Sequence, residues 1–436
     1  MAEQVKSGAV AGDPIAASVV LPIGSRLNER GHLEVGGCDV VDLVEEHGTP
    51  AYIYAEDDLR ARARAYREAF ERRGVEGEVL FASKAFPATA AYRLFAEEGL
   101  SVDVASGGEL HIALAAGFDP ARIHMHGNNK TNEEILMAAR AGIGHLILDS
   151  FDEIERAERL LDTPMKVLIR VTPGVKPSTH DFITTGQLDS KFGFGMGDAT
   201  GAAAAIRRVL ASEKLDLVGL HAHIGSQIFE LEPYRLAIAA LGELAGDWCK
   251  VVDVGGGLGV AYTEDDVPPA IDDYVGVKVE GVREVFGEGV KMMIEPGRSL
   301  VANAGITAYR VGTVKEIPGV RTYIAVDGGM SDNLRPMLYG SRYEALIADR
   351  AAAEPDTLVT VAGMHCESGD VIVRDAMLAA PAVGDVLVTP ATGAYGHAMA
   401  NNYNGVTRPP VIFCRGGEAR VVVRRETYDD LTARDV

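Results

Sequence analysis

The sequence is poor in the residues that mark several classes of protein. Its four cysteines, Cys38, Cys249, Cys366 and Cys414, are scattered over 436 residues, without the spacing of a zinc ribbon or a disulfide framework. No stretch approaches the roughly 18 consecutive apolar residues of a transmembrane helix. Residues 1–20 lack the basic start and apolar run of a signal peptide, and we interpret them as a flexible extension. We therefore expect a cytoplasmic protein that does not insert into a membrane.

Positive charge is also scarce. The chain has 42 lysines and arginines against 63 aspartates and glutamates, a formal net charge of −21. Such a charge repels nucleic acid and anionic lipid, so we expect neither as a partner. It excludes no small substrate, because the local charge of a site can oppose the global field.

Eight short apolar segments alternate with helix-like stretches between residues 51 and 308. The helix-like stretches carry Ala, Leu, Arg and Glu at helical spacing, as in 58–73, 131–141, 151–161, 198–212 and 233–245. Alternating strands and helices indicate a parallel sheet, and eight units in about 250 residues predict a closed (β/α)₈ barrel. The predicted strands are 78–84, 100–105, 122–126, 144–149, 166–171, 216–223, 249–254 and 291–295.

The remaining segments indicate a second, mainly β domain. After residue 308, short β-rich segments are separated by Gly, Pro and Asp, with few helix-like stretches between them. Residues 21–50 have the same character. We therefore predict a barrel over residues 51–308, a β domain formed by 21–50 with 309–436, and the extension over 1–20.

Polar residues follow the predicted barrel strands, where barrel enzymes carry their active sites. Lys84 is either a strand-capping lysine with its amine in water or a nucleophilic amine that condenses with a carbonyl group. The glycines of 255–259 form either a plain turn or a cradle for a phosphate. Arg298, at the neighbouring strand end, favours the phosphate, because its planar fork suits that anion.

Three further groups also have more than one interpretation. Glu295 either pairs with Arg298 or keeps a cofactor ring nitrogen protonated. His221 and His223 share one face of a strand, and three interpretations are open: they are packed, hydrogen-bonded histidines, they bind a metal together with His124 and His126, or they lie against an aromatic cofactor. Cys366 is either a small buried hydrophobe or a proton donor.

Motifs throughout the chain resemble those of one enzyme family. They are FASKAF around Lys84, HGNNK at 126–130, TTGQLDSKFGF at 184–194, HAHIGSQ at 221–227, DVGGGLG at 253–259, EPGR at 295–298, DGGMSDNLRPMLYGSRY at 327–343, HCESGD at 365–370 and GAYGHAMANNYN at 393–404. The chain resembles the pyridoxal-phosphate decarboxylases of the alanine-racemase-type fold, and among them the diaminopimelate decarboxylases, over residues 21–423.

The resemblance implies a cofactor, pyridoxal 5'-phosphate, and roles for the matching residues. Lys84 would hold the cofactor, His223 would stack on its ring, and Glu295 would pair with the ring nitrogen. Cys366 would supply a proton, and no metal is expected. The remaining cofactor-binding residues would be Ser226, Gly255, Gly256, Gly257, Gly259, Pro296, Gly297, Arg298 and Tyr395.

The resemblance also implies an amino-acid substrate and a homodimer with shared active sites, because Cys366 and Glu367 enter the opposite subunit's site in this family. Arg298, Arg335, Tyr339, Glu367 and Tyr395 would bind the substrate. The implied reaction converts meso-2,6-diaminopimelate to L-lysine and carbon dioxide, the last step of lysine biosynthesis.

Several alternatives remain open at this point. The same scaffold also serves decarboxylases of other basic amino acids or of carboxynorspermidine. A non-catalytic protein that binds pyridoxal phosphate and a metal-dependent barrel hydrolase are more distant possibilities. An alanine racemase is disfavoured, because its ring nitrogen pairs with an arginine instead of a glutamate.

Overall fold

The computed structural model describes residues 15–175, 190–197 and 200–436. The chain forms two compact units. The barrel unit comprises residues 60–260 and 267–300, and the β unit comprises the residues up to 59 together with 261–266 and 301–436. The first 14 residues of the expected extension, and residues 184–189 of the TTGQLDSKFGF motif, lie outside the described residues.

Eight parallel strands close into a barrel, as predicted. Each predicted strand segment overlaps one of them. We number the strands β1 (Gly77–Ala82), β2 (Ser101–Val104), β3 (Ile123–Met125), β4 (His145–Leu148), β5 (Met165–Thr172), β6 (Leu215–His221), β7 (Val251–Asp253) and β8 (Lys291–Ile294). The pairing of β8 with β1 closes the ring.

Helices connect the barrel strands, and local sequence sets their ends. In Asn132–Ala141, Thr131 and Glu134 form a capping box, and Gly142 ends the helix in the left-handed conformation. The other helices of this part of the chain are Glu56–Glu71, whose first turn belongs to the β unit, Thr89–Glu97, Gly107–Ala115, Phe151–Leu160, Ala202–Leu210, Glu232–Gly242, Ile271–Phe286 and the short Arg298–Val301.

An apolar layer fills the middle of the barrel. It contains the buried side chains of Leu80, Ile147, Leu168, Val251 and Met293. Side chains two residues apart on a strand share a face, so Asp253 and Glu295 continue the interior beyond Val251 and Met293. The barrel interior is therefore apolar at mid-height and polar at its carboxyl end.

The β unit is built around one large sheet and one small sheet. The main path of the large sheet runs, in spatial order, Val371–Leu378, Thr357–Ala362, Arg321–Val326, Gly305–Ile317, Ala51–Ala55, Val411–Arg415 and Glu418–Val423. Val386–Thr389 pairs with Gly305–Ile317 and with Leu346–Ile347. The small sheet contains Arg26–Leu27, Leu33–Val35 and Cys38–Asp39, and the helices are Val40–His47, Arg335–Tyr339, Gly396–Met399 and Tyr428–Thr432.

The boundaries of the two units differ from the expected ones. Residues 51–59 and 301–308 belong to the β unit, because Ala51–Ala55 is a sheet strand with Tyr52 opposite Thr307. The expectation of a flexible extension up to residue 20 is wrong for its described part. Val20 is buried, and Ser18 donates a hydrogen bond of 2.6 Å to Glu264 in the same unit. Among the described residues, no helix is long and apolar enough to cross a membrane.

Candidate active site

Glu295 lies at the centre of the polar cluster at the carboxyl end of the barrel. It follows β8, and only 4% of its side chain is exposed. Its Oε2 lies 3.3 Å from Nε2 of His221, at the end of β6. Its Oε1 lies 2.8 Å from Nε2 of His126, just after β3, without the alignment of a hydrogen bond. The carboxylate is therefore surrounded by imidazoles, and the expected alternative of a simple Glu295–Arg298 pair does not describe it.

The electrostatics of the cluster differ from one carboxyl group to the next. Burial opposes ionisation of Glu295, but His126 and His221 outweigh it and hold its pKa well below the usual value. Burial and the neighbouring Glu295 charge raise the pKa of Asp253 well above its usual value. Burial also raises the pKa of Asp103, to about 6, against the opposing effect of His126. Near pH 7, Glu295 is thus the anion and Asp253 is the neutral acid.

His223 is oriented by the glycine loop after β7. Its Nδ1 accepts a hydrogen bond of 3.2 Å from the backbone N–H of Gly256 and lies 3.9 Å from Glu295. Burial and the charge of Lys84 lower the pKa of His223 well below its usual value. The ring is therefore neutral and half-buried. His221 and His223 each have a ring nitrogen within 4 Å of Oε2 of Glu295.

Lys84 follows β1 in a short 3₁₀ turn, Ser83–Ala85, and is exposed. The end of β1 is fixed to the EPGR turn, because Ala82 donates a backbone hydrogen bond of 3.1 Å to the carbonyl of Pro296. A Cβ at Gly297 would lie 2.9 Å from the Cβ of Ala82. Pro296 and Gly297 therefore bring the strand ends that carry Lys84 and Glu295 close together.

The residues of the predicted cradle follow three successive strands. Arg298 is buried and donates hydrogen bonds to the Ser226 hydroxyl, at 2.9 Å from Nη2 and 3.3 Å from Nε. Gly255 has a φ of +62°, and a Cβ there would collide with the Ala222 carbonyl. A Cβ at Gly256 would likewise collide with the Glu295 carbonyl. The glycines allow the backbones after β6, β7 and β8 to pack this closely.

One buried residue of this region, Lys278, was not predicted from the sequence. Lys278, from the helix Ile271–Phe286, is fully buried and donates to the carbonyls of Val254 and Gly255 at 2.9 and 2.7 Å. Burial lowers its pKa to about 7. The sequence gives no sign that Lys278 is buried, because a lysine in a helix normally faces solvent.

The metal interpretation placed His124 and His126 with His221 and His223. The structure does not bring these four together. His124 lies one layer lower in the barrel and hydrogen-bonds Glu78 at 3.2 Å. His126, His221, Asp253 and Glu295 do have potential ligand atoms within 4.8 Å of one another. The four-histidine cluster of the metal interpretation is therefore not formed, and a mixed cluster of histidines and carboxyls stands at this place.

Arg335, in the β unit, is buried among aromatic rings. Its guanidinium carbon lies 4.3 Å above the Tyr262 ring, and it donates a hydrogen bond to the Tyr343 hydroxyl. Burial opposes its charge, yet the neighbouring tyrosines leave its pKa raised. Within the described residues no ion pair joins it to a carboxylate. A buried cation of this kind needs an anion, which a ligand can supply.

The other predicted residues of the β unit are more accessible. Tyr395 is half-buried, has a φ of +68° and acts electrostatically on Arg335. Tyr339 is 41% exposed. Cys366 is also exposed, so its interpretation as a buried hydrophobe is wrong. Glu367 accepts a hydrogen bond from the Tyr403 hydroxyl on the same surface.

Comparison with known proteins identifies the class. Residues 56–302 match the family profile described as pyridoxal-dependent decarboxylase, pyridoxal binding domain. The chain is 48% identical to diaminopimelate decarboxylase of Bacillus subtilis (strain 168), over 94% of this chain and 97% of the relative. It is 45% identical to the enzyme of that name from Halalkalibacterium halodurans, over the same shares.

Solved structures agree with this assignment. Diaminopimelate decarboxylase from M. jannaschii, in co-complex with L-lysine, superposes with a TM-score of 0.88 at 35% identity. The match covers 94% of this chain and 97% of that chain. Fold and profile together define a barrel-type pyridoxal-dependent decarboxylase. Within this class, the chain belongs to the diaminopimelate decarboxylase family.

Proposed function

We propose that this protein decarboxylates meso-2,6-diaminopimelate to L-lysine and carbon dioxide with pyridoxal 5'-phosphate. The observation that carries the choice of substrate is the buried Arg335, which has no carboxylate partner among the described residues. Diaminopimelate ends in an ammonium and a carboxylate, whereas lysine and ornithine end in an ammonium alone. A buried guanidinium discriminates for the carboxylate, because a substrate without it leaves the cation unpaired. Two relatives named diaminopimelate decarboxylase, which are 48% and 45% identical to this chain, support the proposal.

The barrel residues fit the cofactor. Oε1 of Glu295 is buried without an aligned donor among the described residues, so it has acceptor capacity for a protonated ring nitrogen. Arg298 and Ser226 beside the glycine loop suit a phosphate. Once bound, the cofactor accepts the electron pair left when the substrate loses its carboxylate.

We assign the remaining chemical tasks to the chain's own side chains. Lys84 holds the cofactor and takes part in substrate entry and product release through its Nζ. His223, oriented by Gly256, supports the ring face. Glu295 retains the proton on the ring nitrogen, and its depressed pKa suits this task. Gly255, Gly256, Gly257, Gly259, Pro296, Gly297 and Tyr395 complete the proposed cofactor site.

We propose that the Cys366 thiol protonates the substrate carbon, and that it does so in the site of the opposite subunit of a homodimer. Its exposure, together with that of Glu367, supports this role, because a proton donor that serves another chain has to lie at the surface. We assign Arg298, Arg335, Tyr339, Glu367 and Tyr395 to substrate binding. Four free cysteines support a reducing compartment, and we propose the cytoplasm.

The test is product analysis with the cofactor-loaded protein. Diaminopimelate, lysine, ornithine, arginine and carboxynorspermidine are offered in parallel, and amine products and carbon dioxide are measured. Lysine formed from diaminopimelate, at a kcat/KM roughly 10⁴-fold above the others, is the expected result. Preference for another substrate would contradict the role of Arg335. No turnover of any of them, with cofactor bound, would contradict the proposed reaction.

A further inference from the structure

A cavity of about 760 Å³ opens at the amino-terminal end of the barrel. We call it the basal cavity and define it by Glu78, Arg122, His124, His145, Lys166 and Lys291, which all line it. Glu78 precedes the carboxyl end of β1 by four residues, roughly 13 Å along the strand. The volume lies within the range of small-molecule sites, about 300–1,000 Å³. The proposed decarboxylation uses none of these residues.

Three of these side chains form one row across neighbouring strands. His124 is opposite His145 in the register of β3 and β4. Lys166 precedes Val167, the partner of Leu146, so it is level with His145 on β5. Paired residues of adjacent strands point to the same side about 5 Å apart. The row is thus a continuous set of nitrogen groups along the floor of the barrel.

The histidines of the row are held rigidly. Their Nδ1 atoms lie 2.8 Å apart, and their rings stack with centroids at 4.8 Å. His124 also contacts Glu78 through Nε2 at 3.2 Å. Burial, followed by the charges of neighbouring residues, lowers the pKa of His145 to about 3. The row therefore places the neutral His145 imidazole between His124 and Lys166.

Only part of the positive charge at the cavity is compensated. Glu78 receives the ammonium of Lys291 at 2.5 Å and the Ser101 hydroxyl, so this pair is neutral together. Arg122 donates to the Gly99 carbonyl and, at 3.4 Å, to the Ser101 hydroxyl. Among the described residues, neither Arg122 nor Lys166 forms an ion pair with a carboxylate.

We propose that the basal cavity is a binding site for a small divalent oxyanion, which Arg122 and Lys166 hold and the His124–His145 pair lines. Arg67 and Glu76 also line the cavity and carry opposite charges, so Arg122 and Lys166 remain to match two negative charges. The arginine fork suits an oxyanion. Their local charge is opposite in sign to the net charge of −21 of the whole chain. Helix carboxyl ends also meet this end of a barrel, and neutralising them is the competing explanation for the basic side chains.

The experiment uses the cofactor-loaded protein, so that the phosphate cradle at the other end is filled. Inorganic phosphate and, separately, succinate are titrated by calorimetry in a buffer without other divalent anions. We expect saturable binding of one anion per chain. Tighter phosphate binding would assign a tetrahedral oxyanion, and tighter succinate binding a dicarboxylate; both support the site.

Variants locate the binding. Lys166→Gln and Arg122→Gln should each weaken it at least about tenfold, because each removes one charge-assisted contact. Lys250→Gln is the matched control, since Lys250 precedes β7 at the same end of the barrel but does not line the cavity. Arg335→Gln should leave binding unchanged, which separates this site from the proposed substrate site. Lys166 is exposed, so its variant decides the matter if Arg122→Gln fails to fold. Absence of saturable binding, or equal affinity in Lys166→Gln, would overturn the proposal.

Discussion

Nε2 of His126 lies 2.8 Å from Oε1 of Glu295, and both side chains are buried. Because His126 follows β3 and Glu295 follows β8, this contact joins two separate parts of the barrel wall. His221 contributes a third strand, β6, through Oε2 of the same carboxylate. The position of the ionised Glu295 carboxylate is therefore set by the rigid sheet.

Glu295→Gln should lower kcat by at least about 100-fold, because a neutral amide cannot keep a ring nitrogen protonated. Steady-state rates and the absorbance spectrum of the bound cofactor measure the effect. Glu280→Gln, on an exposed helix position, is the control and should leave kcat unchanged. A kcat within threefold of the wild type would refute the role of Glu295.

Lys84→Ala should abolish turnover, because the variant lacks the amine that we propose to hold the cofactor and to act in substrate entry and product release. Mass spectrometry after borohydride reduction should find the cofactor covalently attached to the wild-type chain and not to the variant. Lys214→Ala, at a half-buried position just before β6, should retain both activity and attachment. Near-normal activity of Lys84→Ala would contradict the assignment.

The sequence predicted the barrel well, because each strand is a short apolar run that ends in polar residues. The strand Ala51–Ala55 was assigned to the barrel incorrectly, because an apolar strand sequence does not indicate which sheet the strand joins. The residues at the strand ends were also identified, but their pairings were not. His124 and His126 are two residues apart, as are His221 and His223. His124 contacts Glu78 and His126 contacts Glu295, whereas His221 and His223 both lie near Glu295. Only the register of the barrel strands decides these contacts. Lys278 gave no signal, because its role depends on burial alone.

Arg335→Gln should lower kcat/KM for diaminopimelate by at least about 100-fold and weaken binding of the product lysine, which keeps the distal carboxylate. The ratio of kcat/KM for diaminopimelate to kcat/KM for lysine should fall. In the variant, a substrate without the distal carboxylate no longer leaves the Arg335 guanidinium without an anion. Arg335→Lys should restore part of the affinity without the planar fork. Parallel kinetics on both substrates measure the ratio, and an unchanged ratio would contradict the specificity argument.

Glu78→Gln should destabilise the protein by about 3 kcal/mol near pH 7, because it leaves His124 and Lys291 without their carboxylate. Burial opposes the charge of Glu78, but hydrogen bonds from His124, Lys291 and Ser101 lower its pKa. A carboxyl group with a depressed pKa contributes stability above its unfolded pKa, about 4.5, and loses that contribution as the pH falls through the folded value.

The difference in Tm between the wild type and Glu78→Gln should therefore narrow progressively below about pH 4.5. Glu76→Gln is the control, because Glu76 is exposed two residues earlier in the chain. It should change the stability by less than about 0.5 kcal/mol. A difference in Tm that widens in acid would contradict the linkage.

Mixing inactive chains tests whether the active sites are shared. Lys84→Ala and Cys366→Ala should each be strongly impaired alone, the second with its cofactor still bound. If the proton donor serves the opposite subunit, a mixed dimer has one intact site, formed by Lys84 of one chain and Cys366 of the other. After unfolding and refolding of an equal mixture, half of the dimers are mixed, so about one quarter of the wild-type activity should return. If both residues serve the same chain, the mixture should remain as inactive as its components, and sharing would be refuted. Lys84→Ala mixed with Lys84→Ala/Cys366→Ala is the matched control, because neither chain then supplies the lysine.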